Sequence, residues 1–356
     1  MITRLDPTRR DETARPATPV AIDRARELVE PALHAAVDLL TDSRMRLIAG
    51  YQLGLWDAAG ERAPGGRGKA VRPALVLLAA RAVGGRAEAG VPGAVAVELV
   101  HNFSLLHDDI MDRDVERRHR PTGWVVYGEG QAILAGNAML AAALETLLRD
   151  DPHHDRTVPA LLACVQRLIS GQSADLALER DDTAAIEDVL AMEDGKTAAL
   201  IANSLELGAL AAGADTAVVA RLAEAGRLAG LAFQLVDDVL GVVGDASVTG
   251  KSSSSDIRAG KRSVPVVAAL RSGTPEGDEL ADLLRAAPPE TDVEVERAVR
   301  LVVTAGGLDW ARREAERLLA AAHQELAAAG LGADTATHDA AQDLAEVLDF
   351  LVRRDW

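Results

Sequence analysis

The sequence predicts an all-α protein, and three features of its 356 residues support that class. Alanine and leucine dominate a composition that is 48% hydrophobic, whereas aromatic residues make up only 3%. Both are strong helix formers, so we expect an aliphatic, helical core. Apolar residues also recur at helical spacing along most of the chain, and no stretch shows the period-two alternation of a strand.

The first third of the chain contains helical patterns separated by two loops. From about Ile22 to Trp56 an amphipathic helical pattern runs, with an irregularity expected at Pro31. A glycine-rich loop covers residues 59–73 and is followed by a helix over Ala74–Val83 and, after a glycine break, by a longer helix. The charged segment Asp114–Gly123 is predicted to connect this helix to the next one.

The remaining patterns are also helical. They cover Val125–Arg149, Val158–Leu178, Thr183–Glu193, Thr197–Ala212 and Thr216–Val243. Residues 244–262 form the longest non-helical piece of the second half, and shorter amphipathic helices are expected from there to Trp356. Residues 1–20 are polar and contain proline, so we expect a disordered tail. Residues 21–356 are expected to form a single all-α domain.

Composition excludes several classes of function. The net charge of −17 opposes binding to nucleic acid and to anionic membranes, so an anionic substrate would need a local cationic pocket or bridging metals. The single cysteine, Cys164, excludes an internal disulfide and is expected to be an inert core residue. We find no signal peptide and no apolar stretch long enough to span a bilayer, and therefore expect a cytoplasmic protein.

The segment His101–Asp112, HNFSLLHDDIMD, is the first candidate for chemistry. Asp108 and Asp112 are four residues apart, so on a helix their carboxylates lie on one face. The flanking apolar residues predict a mostly buried helix, in which two like charges are costly without a cation between them. Because the pair offers only oxygen ligands, a hard ion such as magnesium is the natural candidate.

A second acidic pair, Asp237 and Asp238, lies inside the apolar run from Phe233 to Gly241. A lone DxxxD pattern is most simply an exposed helix face. Two acidic pairs within buried-looking helices instead favour one metal site shared between the two helices.

Basic residues cluster near these motifs and suggest an anionic substrate. They are Lys69, Arg72, Arg117, Arg118, Lys196, Lys251 and Lys261, and Thr197 adds a hydroxyl beside Lys196. A diphosphate accepts hydrogen bonds from such groups and bridges magnesium ions held by carboxylates. Taken singly, each residue also fits a solvated loop or a simple ion pair, and His101 and His107 each fit a core histidine.

The order and spacing of these motifs resemble one known family. The segments GKAVRP, HNFSLLHDDIMD, RRHRPT, GKT, FQLVDDVLGVVGD and the final GK…DIRAGK loop are similar to those of the trans-isoprenyl diphosphate synthases, the polyprenyl synthetase family. The likeness spans about residues 65–265. It implies the isoprenoid synthase fold, a helical bundle around a central active-site cavity, a homodimer, and head-to-tail condensation of an allylic diphosphate with isopentenyl diphosphate.

The resemblance also implies roles for individual residues. Three magnesium ions would be bound by Asp108, Asp112 and Asp237, with Asp109, Asp238 and Gln172 behind them. The allylic diphosphate would be bound by Arg117, Lys196, Thr197, Gln234, Lys251 and Lys261. Isopentenyl diphosphate would be bound by Lys69, Arg72, His101 and Arg118. Asp108, Asp112, Asp237, Lys196 and Arg117 would thereby carry the catalysis. No side-chain base is implied, because the final proton goes to the departing diphosphate.

Three positions depart from the family pattern. Gly241 stands where many members have a third aspartate, Asn137 stands where an aspartate often follows Gly136, and His119 replaces a common glycine after the arginine pair. Asp237, the expected metal ligand, is intact, so we expect activity to survive. Asn137 is expected to be a change behind the metal ligands, and His119 to reshape only its loop.

Product length is predicted from the helix below the first aspartate cluster. Phe103 lies five residues before Asp108, about 7.5 Å along the helix axis, and Ser104 is small. A lone aromatic at this position, with no insertion in the aspartate motif, resembles enzymes that stop near C20, with C15 as the close rival. Alternatively, Phe103 is merely part of the core.

Two other functions are compatible with the fold. A terpene cyclase would keep the metal aspartates but would not need the second set of cations, Lys69, Arg72, His101 and Arg118. A regulatory subunit of a two-chain synthase could lose its aspartate clusters, and both are present here. The sequence therefore favours the synthase.

Overall fold

The computed structural model describes residues 18–62, 68–178, 183–243, 254–286, 289, 291–332 and 334–352. Its α-helices are α1 (Val20–Asp38), α2 (Ser43–Gln52), α3 (Val71–Ala82), α4 (Val91–Met111), α5 (Gly123–Tyr127), α6 (Glu129–Asp150), α7 (His154–Leu178), α8 (Ile186–Glu193), α9 (Ala199–Ala211), α10 (Thr216–Val243), α11 (Ser255–Arg258), α12 (Val264–Leu270), α13 (Pro275–Ala286), α14 (Asp292–Thr304), α15 (Gly307–Ala328) and α16 (Thr335–Val352). A 3₁₀ turn, Ala87–Gly90, precedes α4, and a π-helical turn, Asp194–Ala198, joins α8 to α9.

The prediction of an all-α protein is confirmed. Within the described ranges the only strands are β1 (Glu116–Arg117) and β2 (Arg120–Pro121), which pair antiparallel in the predicted connection between helices. The predicted tail lies outside the described residues up to position 17, and α1 begins at Val20.

Several of the predicted helix boundaries were wrong; for example, the single pattern over Val125–Arg149 is two helices, α5 and α6, divided at Gly128. The helical pattern from Ile22 to Trp56 forms two helices, because Asp42 caps a new one: its Oδ1 accepts hydrogen bonds from the backbone N–H groups of Arg44 (2.8 Å) and Met45 (3.0 Å). The C-terminal helices are also longer than expected, since α15 has 22 residues and α16 has 18.

The helices that carry the predicted site pack around α9. This helix is buried along nearly its whole length and lies against α3, α4, α7 and α10. The main hydrophobic cluster runs from α1 to α16, and a smaller one joins the C-terminal end of α10 to α12, α14 and α15. Packing both α4 and α10 against α9 brings the two helices with aspartate motifs to the same part of the bundle.

In the part of the chain that the structure describes, two helices have the length and hydropathy of a membrane span, which corrects the expectation that no stretch is long enough. They are Ala87–Met111, with a mean hydropathy of 1.3, and α6, with 1.4. In the first, 61% of the apolar 18-residue window is buried, and the helix packs between other helices of the bundle, as the core helix of a globular protein does. The second is only 44% buried, so part of its apolar surface is exposed.

Candidate active site

The first aspartate motif occupies the C-terminal end of α4. Asp108 and Asp112 share one face of the helix end, where the backbone N–H of Asp112 donates to the carbonyl oxygen of Asp108 (2.8 Å). Burial raises the pKa of Asp108 to about 6, and the charge of Asp112 adds to the shift, whereas Lys196 opposes it. The free protein therefore holds these carboxylates in an environment that favours an additional cation.

The third carboxylate of this motif, Asp109, is paired with an arginine. Its side chain is buried, and its Oδ1 accepts a hydrogen bond from Nε of Arg117 at 2.5 Å. Arg117 also donates to Asp114 at 3.4 Å. Oδ2 of Asp109 is buried without a hydrogen-bond partner in the described part of the chain. Arg117 is thus fixed beside the cluster rather than extended into solvent.

Arg117 and Arg118 belong to the β1–β2 hairpin. Arg117 pairs with Arg120, so Arg118 and His119 form a two-residue loop, and both have positive φ angles of 53° and 59°. Two consecutive positive φ angles characterise the type I′ turn, in which glycine and asparagine are usual. The hairpin therefore holds Arg118 in a conformation that an arginine rarely adopts.

The π-helical turn between α8 and α9 presents Lys196. Its ammonium group forms a short ion pair with Asp175 of α7. Burial opposes the charge of Lys196, but Asp175, Asp108 and Asp112 outweigh that effect and raise its pKa. The turn passes so close to α7 that a Cβ added to Gly171 would lie 2.3 Å from the backbone nitrogen of Lys196. Single π turns within α-helices are frequent at functional sites.

A line of hydrogen bonds joins this turn to the second aspartate motif. The hydroxyl of Thr197 donates to Oε1 of Gln234 (2.9 Å), and Nε2 of Gln234 donates to Oδ1 of Asp238 (2.9 Å). The other oxygen of Asp238 accepts from the backbone N–H of Val264 (2.8 Å). Asp238 is therefore a buried anchor, while Asp237 next to it is partly exposed. Burial raises the pKa of Asp238 to about 7, and Asp256 adds to the shift.

The two aspartate motifs are electrostatically linked through Lys196. The positive charge of Lys196 favours the ionised form of Asp108 in the first motif and thereby opposes the rise of its pKa. It has the same effect on the pKa of Glu193, a buried carboxyl one turn before Lys196. Burial raises the pKa of Glu193 well above its ordinary value, and the charge of Asp238 in the second motif adds to the shift. The hydrogen bonds from Thr197 through Gln234 to Asp238 place the same turn beside the second motif, so Lys196 lies near both motifs.

The second set of predicted cations surrounds His101. Nη1 of Arg72 lies 3.4 Å from Nε2 of His101. Burial lowers the pKa of His101 well below its ordinary value, and Arg72 and Arg118 add to the shift, so its ring is neutral at physiological pH. The guanidinium of Arg118 packs on Gly68, the residue before Lys69. A Cβ added to Gly68 would lie only 3.2 Å from this guanidinium. Arg72, His101 and Arg118 thus form one group next to the Asp109–Arg117 pair, and Lys69 follows Gly68 in the chain at its edge.

Comparison with known protein families identifies the family of this chain. The model of the polyprenyl synthetase family matches residues 57–302. The chain belongs to the polyprenyl synthetase family. It is 45% identical over 311 residues to a (2E,6E)-farnesyl diphosphate synthase of Mycobacterium tuberculosis, covering 86% of each chain, and 45% identical over 303 residues to a geranylgeranyl diphosphate synthase of the same organism, covering 85% and 86%. The chain is accordingly a short-chain prenyltransferase.

Solved structures of this family have the same isoprenoid synthase fold. The polyprenyl synthetase from Streptomyces coelicolor superposes with a TM-score of 0.88 at 42% identity, covering 94% of this chain and all of that one. The geranylgeranyl pyrophosphate synthase from Corynebacterium glutamicum, solved with isoprenyl diphosphate and magnesium, superposes with a TM-score of 0.80 at 25% identity, covering 95% and 99%.

Three acidic residues of this polyprenyl synthetase site were not found from the sequence. Asp175 holds Lys196, Glu193 lies between Lys196 and the second motif, and Asp256 lies beside Asp238. Asp175 follows Gln172 by three residues on α7, a spacing that places both on one face of the helix and could have indicated it. Glu193 lies two residues before the GKT motif, and Asp256 begins the DIRAGK segment, so proximity to these motifs could have indicated both.

The donor set fits magnesium. No group of three or more His, Cys, Asp or Glu side chains within the described ranges is close enough to hold an ion alone. The predicted ligands are oxygen-only, and both polar atoms of the buried Gln172 side chain are without a hydrogen-bond partner in the described part of the chain. An amide in that state suits a water bound to a hard cation, which needs a hydrogen-bonding neighbour. Metal ions here would have to share their coordination with the substrate.

The departures from the family pattern have different structural contexts. At Gly241 an added Cβ would lie 2.3 Å from Oδ2 of Asp256, so that carboxylate occupies the space of a larger side chain. Asn137 is exposed on α6, on the same face as Ile133 and Leu134. Lys251, the remaining predicted diphosphate ligand, lies outside the described residues, while Lys261 is close enough to act on Glu193.

Proposed function

We propose that this prenyltransferase condenses an allylic diphosphate with isopentenyl diphosphate in a magnesium-dependent reaction. The observation that carries the proposal is that the turn with Lys196 and Thr197 is hydrogen-bonded to the second aspartate motif and lies near the first, while Arg72, His101 and Arg118 form a separate basic group. Two diphosphates need two cationic sites, and this chain has one beside the carboxylates and one beside His101. A cyclase, which uses a single diphosphate, has no use for the second.

Asp108, Asp112 and Asp237 are proposed to hold three magnesium ions through the allylic diphosphate. The ions would act as Lewis acids that stabilise the negative charge of the leaving group. Lys196 and Arg117 are held near the carboxylates by Asp175 and Asp109, so their positive charges are already placed for that diphosphate. Thr197, Gln234, Lys251 and Lys261 are proposed to complete its binding.

The remaining basic group is proposed to bind isopentenyl diphosphate. His101 is neutral and has Arg72 next to it, so it offers a hydrogen bond without adding charge to a crowded cationic site. The side chain of Lys69 lies over the ring of Phe350, with 5.4 Å between its Nζ and the ring centroid. These side chains orient the second substrate for attack, while the aliphatic bundle keeps water from the allylic cation.

For product length we propose C20, geranylgeranyl diphosphate, with C15, farnesyl diphosphate, as the rival. Both kinds of synthase are 45% identical to this chain, so relatives do not discriminate between them. Phe103 supports the proposal because it is buried one and a half turns below Asp108 on α4. Ser104 beside it is small, and its hydroxyl donates to the carbonyl oxygen of His101 (2.9 Å).

The experiment that tests the reaction uses purified protein, isopentenyl diphosphate, magnesium and, in turn, C5, C10 and C15 allylic primers. We expect elongation of each primer up to C20, with no product when magnesium is removed by a chelator. A dominant C15 product would support the rival, and cyclised hydrocarbons formed from a single diphosphate would overturn the synthase. The Asp108→Ala variant, with circular dichroism to verify folding, should lose turnover by several orders of magnitude.

We further propose a homodimer formed through α6 and α7. Both helices expose apolar side chains at seven-residue spacing: Leu134, Ala141 and Leu148 on α6, and Leu162, Ile169 and Leu176 on α7. Such stripes are typical of helices that pack against another helix. A second copy of the chain is the simplest partner, since it presents the same pair of stripes. Action in the cytoplasm stays a prediction from the sequence.

A further inference from the structure

His107 lies between Phe103 and the aspartate motif on α4, and its side chain contacts the Phe103 ring and helix α6. Its ring meets the Phe103 ring edge to face, with 5.0 Å between the ring centroids and 76° between the planes. Its Nε2 lies 3.1 Å from the carbonyl oxygen of Ile133 on α6. Because a carbonyl oxygen can only accept, Nε2 carries the hydrogen and donates it. The imidazole is therefore fixed from α6 while it supports the Phe103 ring.

Gly136 on α6 provides the space for this imidazole. A Cβ on Gly136 would lie 2.2 Å from Nε2 of His107 and 2.6 Å from its Cδ2, too close for any real contact. Glycine inside a helix is unfavourable relative to alanine, so its presence calls for a packing reason. Gly130 on the same helix shows the contrast, since an added Cβ there would meet nothing within 4 Å.

We infer that His107, seated in the notch at Gly136, is a positioning residue for product length. The inference rests on the proposed function, in which the Phe103 ring stops the growing chain. A ring held only by its own torsions can rotate away from an apolar chain that presses on it, whereas the edge-to-face contact favours one orientation. The stop at Phe103 thus depends on α6 through two residues that are not among those proposed to bind the diphosphates or the metals.

The test compares product lengths, because a merely structural role would change stability or rate but not the ratio of products. Wild type, His107→Ala, Gly136→Ala and the control Gly130→Ala are supplied with a C15 primer, isopentenyl diphosphate and magnesium. Phe103→Ala serves as the reference for a removed stop. We expect His107→Ala and Gly136→Ala to raise the ratio of longer products to the main product by about 3- to 10-fold, in the direction of Phe103→Ala. Gly130→Ala should not change it.

A double variant tests the link between the two residues. If Gly136 acts only by making room for the imidazole, Gly136→Ala should add nothing to the product ratio once His107→Ala has removed the ring. Unchanged ratios in both single variants, with a changed ratio in Phe103→Ala, would overturn the inference and leave the proposed stop intact. An unchanged ratio in Phe103→Ala itself would instead overturn the proposed stop. Variants that do not fold are identified by circular dichroism, and the other single variant then decides.

Discussion

The single residue Asp108 is expected to bind metal, and its partly buried carboxylate lowers the stability of the metal-free fold. Its folded pKa of about 6, raised mainly by burial, lies above the ordinary value of 3.8. Between these two values the folded chain binds a proton that the unfolded chain has lost, so Asp108 makes folding less favourable as pH rises through 6. Without metal or substrate, the ionised carboxylate is therefore a source of instability at neutral pH.

We accordingly expect Asp108→Asn to stabilise the metal-free protein while it abolishes activity. The gain in free energy of unfolding should be near zero at pH 4 and grow to on the order of 1–2 kcal/mol at pH 7.5, because asparagine does not ionise. Urea unfolding in the presence of a chelator, repeated across this pH range, measures it. The exposed Asp282→Asn on α13 is the control. A difference between variant and wild type that does not depend on pH would contradict the burial of this charge.

The β1–β2 hairpin is the element in which backbone strain and function coincide. Arg118 and His119 both occupy the left-handed region, at a cost of roughly 1–2 kcal/mol per residue that glycine does not incur. Such strain persists where surrounding structure enforces it, often at functional sites. Here the enforcement comes from the ion pair of Arg117 with Asp109 and from the hydrogen bond of the Thr122 hydroxyl to the carbonyl oxygen of Asp114 (2.8 Å).

His119→Gly should therefore stabilise the protein by about 0.5–1 kcal/mol. The gain is smaller than the strain itself because glycine also increases the entropy of the unfolded chain. Thermal or urea unfolding measures it, and Val115→Gly in the same connection is the control, which should destabilise since Val115 is not in the left-handed region. If His119→Gly destabilises as much as Val115→Gly, the turn is not strained in solution.

The elements also show how far the sequence could lead. Helical periodicity and paired aspartates identified α4 and α10, because both signals depend on residues close together in the chain. The N-cap of α2, Asp42, was missed because the helical spacing of apolar residues continues on both sides of it. A single capping residue within such a pattern does not stand out from the sequence. Asp175 was missed although its spacing from Gln172 on α7 was a local signal, whereas the role of Glu193 arises only when the π turn brings α7, α8 and α10 together. Such contacts between distant segments are set by packing and not by local pattern.

At the scale of the whole molecule, the two aspartate motifs should bind metal only together with a diphosphate. Among the described residues, no three acidic side chains are grouped closely enough to hold an ion by themselves. Magnesium with inorganic diphosphate should therefore raise the melting temperature by more than the sum of the two separate effects, since a ligand that binds only the folded state stabilises it. Differential scanning calorimetry measures this. Purely additive shifts, or equal shifts in Asp108→Asn, would contradict a shared site.

The exposed stripes on α6 and α7 lead to the final prediction, which concerns assembly. Leu134 and Leu162 are 54% and 43% exposed, and because full burial of a leucine contributes about 1.5–3 kcal/mol, burying the exposed half contributes about 1 kcal/mol each. Replacing both with arginine would place two cations from each chain in the proposed interface, where each would be desolvated without a partner. Sedimentation equilibrium should show a dimer for wild type and a monomer for Leu134→Arg/Leu162→Arg. Val303→Arg on α14, a valine that is 46% exposed, is the control and should remain dimeric. A double variant that is still dimeric would place the interface elsewhere, and a monomeric wild type would exclude the homodimer altogether.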